Sequence, residues 1–126
     1  MKKEMLAFSP ELFRFLEKKI QTYGYDVRKK KMFGHEVFFS NGYMFSGANE
    51  SGIFVHVGEE KRDEALRLED GVIAFEPREG MVMKDYLLLQ KPAYSQDRRL
   101  KKWLDLSNSY LLSRPPKQKK KKAELT

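Results

Sequence analysis

An α+β two-layer domain, an antiparallel sheet with helices packed on it, is the fold class this sequence predicts. Three observations carry that expectation. Residues 32–57, MFGHEVFFSNGYMFSGANESGIFVHV, read as three short strands joined by two tight turns. Helix-period apolar residues flank this stretch on both sides. Two further strand-like runs precede the last helix, giving the order α-β-β-β-α-β-β-α. Hairpin-linked strands with helices at intervals favour an antiparallel sheet covered by helices.

The first turn is Asn41-Gly42, set between two aromatic-rich runs. A type I′ hairpin needs positive φ at both central residues, which Asn and Gly tolerate best. A two-residue loop pairs Ser40 with Tyr43, Phe39 with Met44 and Phe38 with Phe45. The second turn, Asn49-Glu50-Ser51-Gly52, places Ala48 opposite Ile53 and Ser46 opposite Val55. Because side chains alternate along a strand, this register sorts them onto two faces. Phe33, Val37, Phe39, Met44, Ala48, Ile53, Val55 and Val57 fall on one, the expected core. Met32, Phe38, Tyr43, Phe45, Phe54 and His56 fall on the other, which is too aromatic for an ordinary wet face.

The remaining elements follow from local chemistry. Ser9-Pro10-Glu11 predicts a helix start, with Ser as N-cap and Pro at the first helical position. Phe8 and Phe13 occupy the hydrophobic-staple positions. Leu12, Leu16 and Ile20 recur every four residues, widened by Phe13 and Tyr23, and Gly24 supplies the stop. Residues 25–31 link this helix to the sheet and carry Arg28-Lys29-Lys30-Lys31. EEKRDEALRL, residues 59–68, predicts a short charged helix anchored by Ala65, Leu66 and Leu68. Residues 72–75 read as a fourth strand ended by Pro77, and residues 85–89 as a fifth. Pro92 breaks the chain, and Ser95 caps a last helix with Leu100, Trp103, Leu104, Ser107 and Leu111 on one side. Arg114-Pro115-Pro116 ends it.

Composition narrows the function classes. At 126 residues the expectation is a single domain, residues 1–116, followed by a Lys-rich tail, 117–126, too polar to bury anything and expected to be disordered. With no cysteine, disulfides, thiol nucleophiles and thiolate metal sites are excluded, which suits a reducing cytoplasm. No apolar run approaches the ~18 residues of a membrane span. The net charge is +7, but residues 114–126 carry +5 of it, so the globular part is close to neutral.

Lys31-Met32-Phe33-Gly34, Asn41-Gly42-Tyr43-Met44-Phe45, Gly71 with Phe75-Glu76-Pro77, Gly80 through Met83 to Tyr86, and Trp103 with Ser113-Arg114-Pro115-Pro116-Lys117 form a spaced set. Together they resemble the TfoX N-terminal domain family, over roughly residues 10–117. The resemblance implies the secretion-chaperone-like arrangement, α-β(3)-α-β(2)-α in two layers. It also implies a bacterial, stand-alone version of a domain that in competence regulators precedes a second domain. His35 departs from the family pattern, which usually has a second glycine after Met-Phe-Gly. The family brings no catalytic motif.

Catalytic chemistry finds little support. His35 and His56 are the only imidazoles, on opposite faces in the register above, and no spacing supplies a third ligand for a metal. Nucleophile elbows, phosphate-binding loops and dinucleotide fingerprints are absent. The acidic residues cluster on an exposed helix, away from the burial that acid–base work needs. No cofactor is expected. The chain therefore reads as a non-enzymatic, cytoplasmic binding or regulatory module, acting through self-association or a protein partner rather than a membrane. Phe38, Tyr43, Phe45 and Phe54 are the candidate interaction face, either covered by the chain's own helices or open to a partner. The alternative is weak nucleic-acid binding. Bases would stack on those aromatics, with phosphates held by Lys29, Lys30, Lys31 and by Lys119, Lys120, Lys121 and Lys122 of the tail.

Overall fold

The computed structural model describes residues 6–32 and 34–116. Helix α1 (Pro10–Tyr23) leads into strands β1 (Arg28–Met32), β2 (His35–Ser40), β3 (Tyr43–Asn49) and β4 (Gly52–His56). Helix α2 (Glu59–Leu68) is followed by β5 (Val72–Arg78), β6 (Met81–Leu89), the single turn α3 (Lys91–Tyr94) and α4 (Asp97–Leu112). The six strands form one sheet in the order β1-β2-β3-β4-β6-β5 with every neighbouring pair antiparallel. The helices contribute to one core on one side of it. This is the expected α+β fold in the expected sequence of helices and hairpins, with one strand and one helical turn added.

Local signals set α1 as anticipated. The Ser9 side chain accepts from the Leu12 N–H at 3.3 Å, Gly24 closes the helix at φ 81°, and the Phe8 and Phe13 rings lie 5.6 Å apart as a staple. The added strand is β1, which the linker reading missed because Arg28-Lys29-Lys30-Lys31 has no apolar alternation. It forms as a sheet edge, where lysines are well placed to deter pairing with other chains. Strand β5 runs through Pro77 instead of ending there, since an edge strand can spare the missing N–H. Strand β6 starts four residues earlier than expected. Pro92 sits in the first turn of α3 rather than breaking the chain, and Gln96, not Ser95, occupies the N-cap of α4. Of the three residues expected to anchor α2, only Ala65 is buried, and Leu66 and Leu68 are exposed. The five residues expected on the inner side of α4 are all buried.

One register shift reassigns the two faces. Phe39 pairs with Met44 as predicted, but Phe38 pairs with Ser46, so Phe45 is an extra residue on β3. A bulge of this kind turns two successive side chains to the same side and reverses parity beyond it. Phe38, Phe45, Ala48, Ile53, Val55 and Val57 consequently share the helix-covered core. Val37, Phe39 and Met44, expected with them, lie on the opposite face with Phe54. The predicted Phe38–Phe45 pairing is thus corrected, as is the grouping built on it; Phe33, expected in the core, lies outside the described residues.

The Asn41-Gly42 turn takes positive φ at both residues, 54° and 85°. Its side chain has a second use. Asn41 Nδ2 donates to the carbonyls of Leu111 at 2.8 Å and Arg114 at 2.9 Å, satisfying groups left over at the end of α4. Tyr43 Oη donates to the Pro115 carbonyl at 2.7 Å, and the Arg114 guanidinium lies over the Tyr43 ring. Farther along α4, Ser107 Oγ donates to the His56 carbonyl at 2.7 Å, and Ser40 and Asn108 bond at 2.9 Å. Asn41→Gly retains the turn but removes the cap. It is expected to cost about 1–3 kcal/mol for the two hydrogen bonds, measured by denaturant unfolding.

Candidate functional site

The face of the sheet away from the helices is covered by the chain itself. Strands β5 and β6 pair regularly from Val72↔Leu89 to Ala74↔Leu87, after which the partner of Phe75 is Met83. Lys84, Asp85 and Tyr86 fall between, so the outer half of the hairpin bends away from the sheet plane. Its tip meets the N-terminal segment. The Leu6 N–H donates to the Pro77 carbonyl at 2.7 Å, while Ala7 is bonded to Glu50 in the β3–β4 turn. Because β5 is three places from β3 in the sheet, these bonds require the hairpin to arch across the open face.

Beneath the arch is a cleft of about 310 Å³. Its floor includes Val37, Met44 and Phe54, and its roof includes Phe75, Met81 and Met83. The Phe54 and Phe75 rings stack at 4.5 Å, joining floor to roof. Polar groups are few: among the described residues His35, Asn49 and Arg78 line the cleft, and no carboxylate does. Asn49 is buried, and its Oδ1 accepts from the Ser51 N–H at 2.7 Å and the Gly52 N–H at 3.2 Å. Sequence reasoning passed over this site. Its one signal was four methionines on strand-like segments, Met32, Met44, Met81 and Met83, and nothing local says that two hairpins distant in sequence fold face to face.

The aromatic residues expected to form an interaction face do not share one. Phe38 and Phe45 are buried beneath the helices, with Phe38 stacked on Phe13 at 4.9 Å and Phe45 edge-on to Tyr25. Phe54 is buried on the other side, and Tyr43 is committed to the end of α4. The bulge at Phe45 is the physical reason. The basic residues of β1 are likewise divided: Lys29 pairs with Glu17 at 2.9 Å on the helix side, while Lys30 lies over the Phe39 ring on the cleft side. Lys31 is exposed beside Glu36. Lys119, Lys120, Lys121 and Lys122 lie outside the described residues, as does the tail expected to be disordered.

The histidines, expected on opposite faces, are both on the cleft side of the sheet, because the bulge reverses β2 relative to β4. His35 lines the cleft and packs on Phe8 at 5.4 Å. His56 is buried, its Nδ1 2.7 Å from the Met44 carbonyl and its ring stacked on Tyr86 at 4.2 Å. Burial, and then the charge of Asp85, hold the Tyr86 hydroxyl well above its ordinary pKa. Among the described residues no group of three or more His, Cys, Asp or Glu could hold a metal ion, and no helix is long and apolar enough to cross a membrane.

Residues 21–110 match the TfoX N-terminal domain, well over half of the chain. The chain belongs to the TfoX N-terminal domain family. No curated protein and no solved structure matches it. The matched span takes in all six strands and most of α4, so family membership accounts for the scaffold and for a competence-regulator-like module.

Away from the cleft, Glu69 ties α2 to α4 through Lys102 at 2.6 Å and Arg99 at 3.2 Å. Partial burial pushes its carboxyl up, but the hydrogen bonds from Lys102 and Arg99 outweigh that and hold it below the ordinary 4.5. A lowered folded-state pKa contributes stability above the unfolded value that is lost as pH falls through the folded one. Glu69→Gln should therefore be less stable than the parent near neutrality. The gap should close as pH falls below about 4.5, followed by thermal unfolding across that range.

Proposed function

We propose that the chain is a non-enzymatic, regulator-like binding module and that the cleft beneath the β5–β6 hairpin is where it binds. The observation that supports this best is the make-up of the cleft: an apolar space walled by methionines and aromatics, with a few polar groups at fixed points. That is the usual form of a small-molecule site. Methionine is unbranched and polarizable, so such a wall adapts to more than one apolar shape. Among the described lining residues no carboxylate stands beside His35 to orient its imidazole, which supports binding over acid–base catalysis there. Occupancy would be read out by self-association or by a protein partner, through whatever difference in affinity the filled and empty forms have for it.

The neutral dye N-phenyl-1-naphthylamine tests this. It should brighten on binding the full chain. Met81→Asp places a carboxylate on the exposed part of the lining, where contact with an apolar ligand would strip its hydration. This variant should weaken binding at least about tenfold, or ~1.4 kcal/mol, while still unfolding cooperatively. Equal binding by both proteins would remove the cleft from consideration.

Nucleic-acid binding is the weaker reading, since the expected stacking residues are buried or engaged and the β1 lysines point to different faces. Any such affinity is expected to be electrostatic. Replacing Lys119, Lys120, Lys121 and Lys122 with glutamine should abolish it, and raising salt from about 50 to about 200 mM should weaken the parent chain steeply. Binding that survives these changes and is weakened by Lys30→Ala would instead assign the sheet edge to nucleic acid.

A further inference from the structure

Two of the polar side chains lining the cleft, Arg78 and Asn49, offer it hydrogen-bond donors. Arg78 lines it at the hairpin tip, where its pairing residue is Met81. Its guanidinium forms no hydrogen bond or ion pair with any described residue, although Glu76 and Glu79 are close in sequence; Glu76 is instead bonded to the Gly80 N–H at 2.6 Å. Asn49 is nine-tenths buried or more, and the Ser51 and Gly52 N–H groups fix its Oδ1, so its amide nitrogen is turned the other way. That nitrogen has no hydrogen-bond partner among the described residues. His35 adds an imidazole whose ring nitrogens are also without a partner there. A guanidinium and a carboxamide N–H can only donate, and among the described residues no acid on the lining competes for them.

We infer that the cleft binds a medium-chain monocarboxylate, its carboxylate held by Arg78 and the Asn49 amide and its alkyl chain lying between Val37 and Met44 below and Met81 and Met83 above, up to the stacked Phe54 and Phe75 rings that close the inner end. This rests on the cleft being the binding site, and it specifies the ligand. Size and charge both point this way. At about 310 Å³ the space lies at the small end of ligand pockets, which suits a single alkyl chain rather than a larger ligand. Each methylene buried contributes about 0.8 kcal/mol. The guanidinium fork matches a carboxylate in two parallel hydrogen bonds, which a hydroxyl cannot reproduce and a cation would oppose.

Displacement of N-phenyl-1-naphthylamine by decanoate, 1-decanol and decyltrimethylammonium tests the assignment on the full chain. Decanoate should displace the dye at least about tenfold better than decanol, and the ammonium should be the poorest of the three. Arg78→Gln keeps a hydrogen-bonding side chain at an exposed position and removes the charge. It should lower the effectiveness of decanoate to that of decanol while leaving decanol unchanged. If the dye binds and Met81→Asp weakens it, yet decanoate is no better than decanol, the carboxylate assignment is wrong and the cleft stands. The carboxylate assignment is equally wrong if Arg78→Gln leaves the preference intact. If neither the dye nor any of the three chains binds the parent protein, both the assignment and the cleft reading fall.

Discussion

The bulge at Phe45 is the constraint on which the rest of the sheet depends. An extra residue in β3 lets Phe45 and Ser46 turn toward the helices together, and it hands Met44, Phe39 and Val37 to the opposite face. Without it, Val37 and Phe39 of β2 would face the helices and Phe38 would turn outward. The helix-side core would then lose the ring that stacks on Phe13. A one-residue change of register moves a whole strand's side chains between faces, so the bulge is tightly held by apolar burial on both sides. Gly47 adds a local requirement. A Cβ there would lie 2.6 Å from the Phe54 ring, so only glycine lets that ring cross beneath the hairpin.

A sheet with apolar side chains on both faces needs two coverings. Helices α1 and α4 supply one. The other comes from the sheet's own last hairpin, bent at Lys84, Asp85 and Tyr86 and tied at its tip to Leu6. A two-stranded hairpin is narrower than the six-stranded sheet it arches over, so it covers only part of that face. Phe54 and Phe75 close the inner end by stacking, and space remains nearer the tip. The cleft is thus a product of the way the fold solves its burial problem, and the methionines that line it suit an incompletely filled space.

Two of the segments that carry the family resemblance meet in space. Asn41 and Tyr43 from the first turn clasp the carbonyls of Leu111, Arg114 and Pro115 after α4, some seventy residues on, and Arg114 lies between the Tyr43 and Tyr110 rings. This explains two of the sequence signals in structural terms: they lock the last helix to the sheet. Other segments of the same set reach the cleft, where Met32, Met44, Phe75, Pro77 and Met83 form part of the lining.

The sequence by itself determined the local elements. Ser9-Pro10 and Gly24 bound α1 at the expected residues, Asn41-Gly42 made the expected turn, and the inner side of α4 was legible from its spacing, because caps, positive φ and helical period act over a few residues. Edge strands were harder to see. The lysines of β1 and the proline of β5 are tolerated only because one side of each strand has no partner, a fact of sheet order. Tertiary structure alone decided which face each β2 side chain occupies and where the cleft lies. The bulge at Phe45 is chosen by packing on two sides at once, and the arch of the β5–β6 hairpin by contacts between Leu6 and Pro77, some seventy residues apart. Such choices minimise exposed apolar surface over the whole molecule, and no stretch of the chain carries that quantity alone.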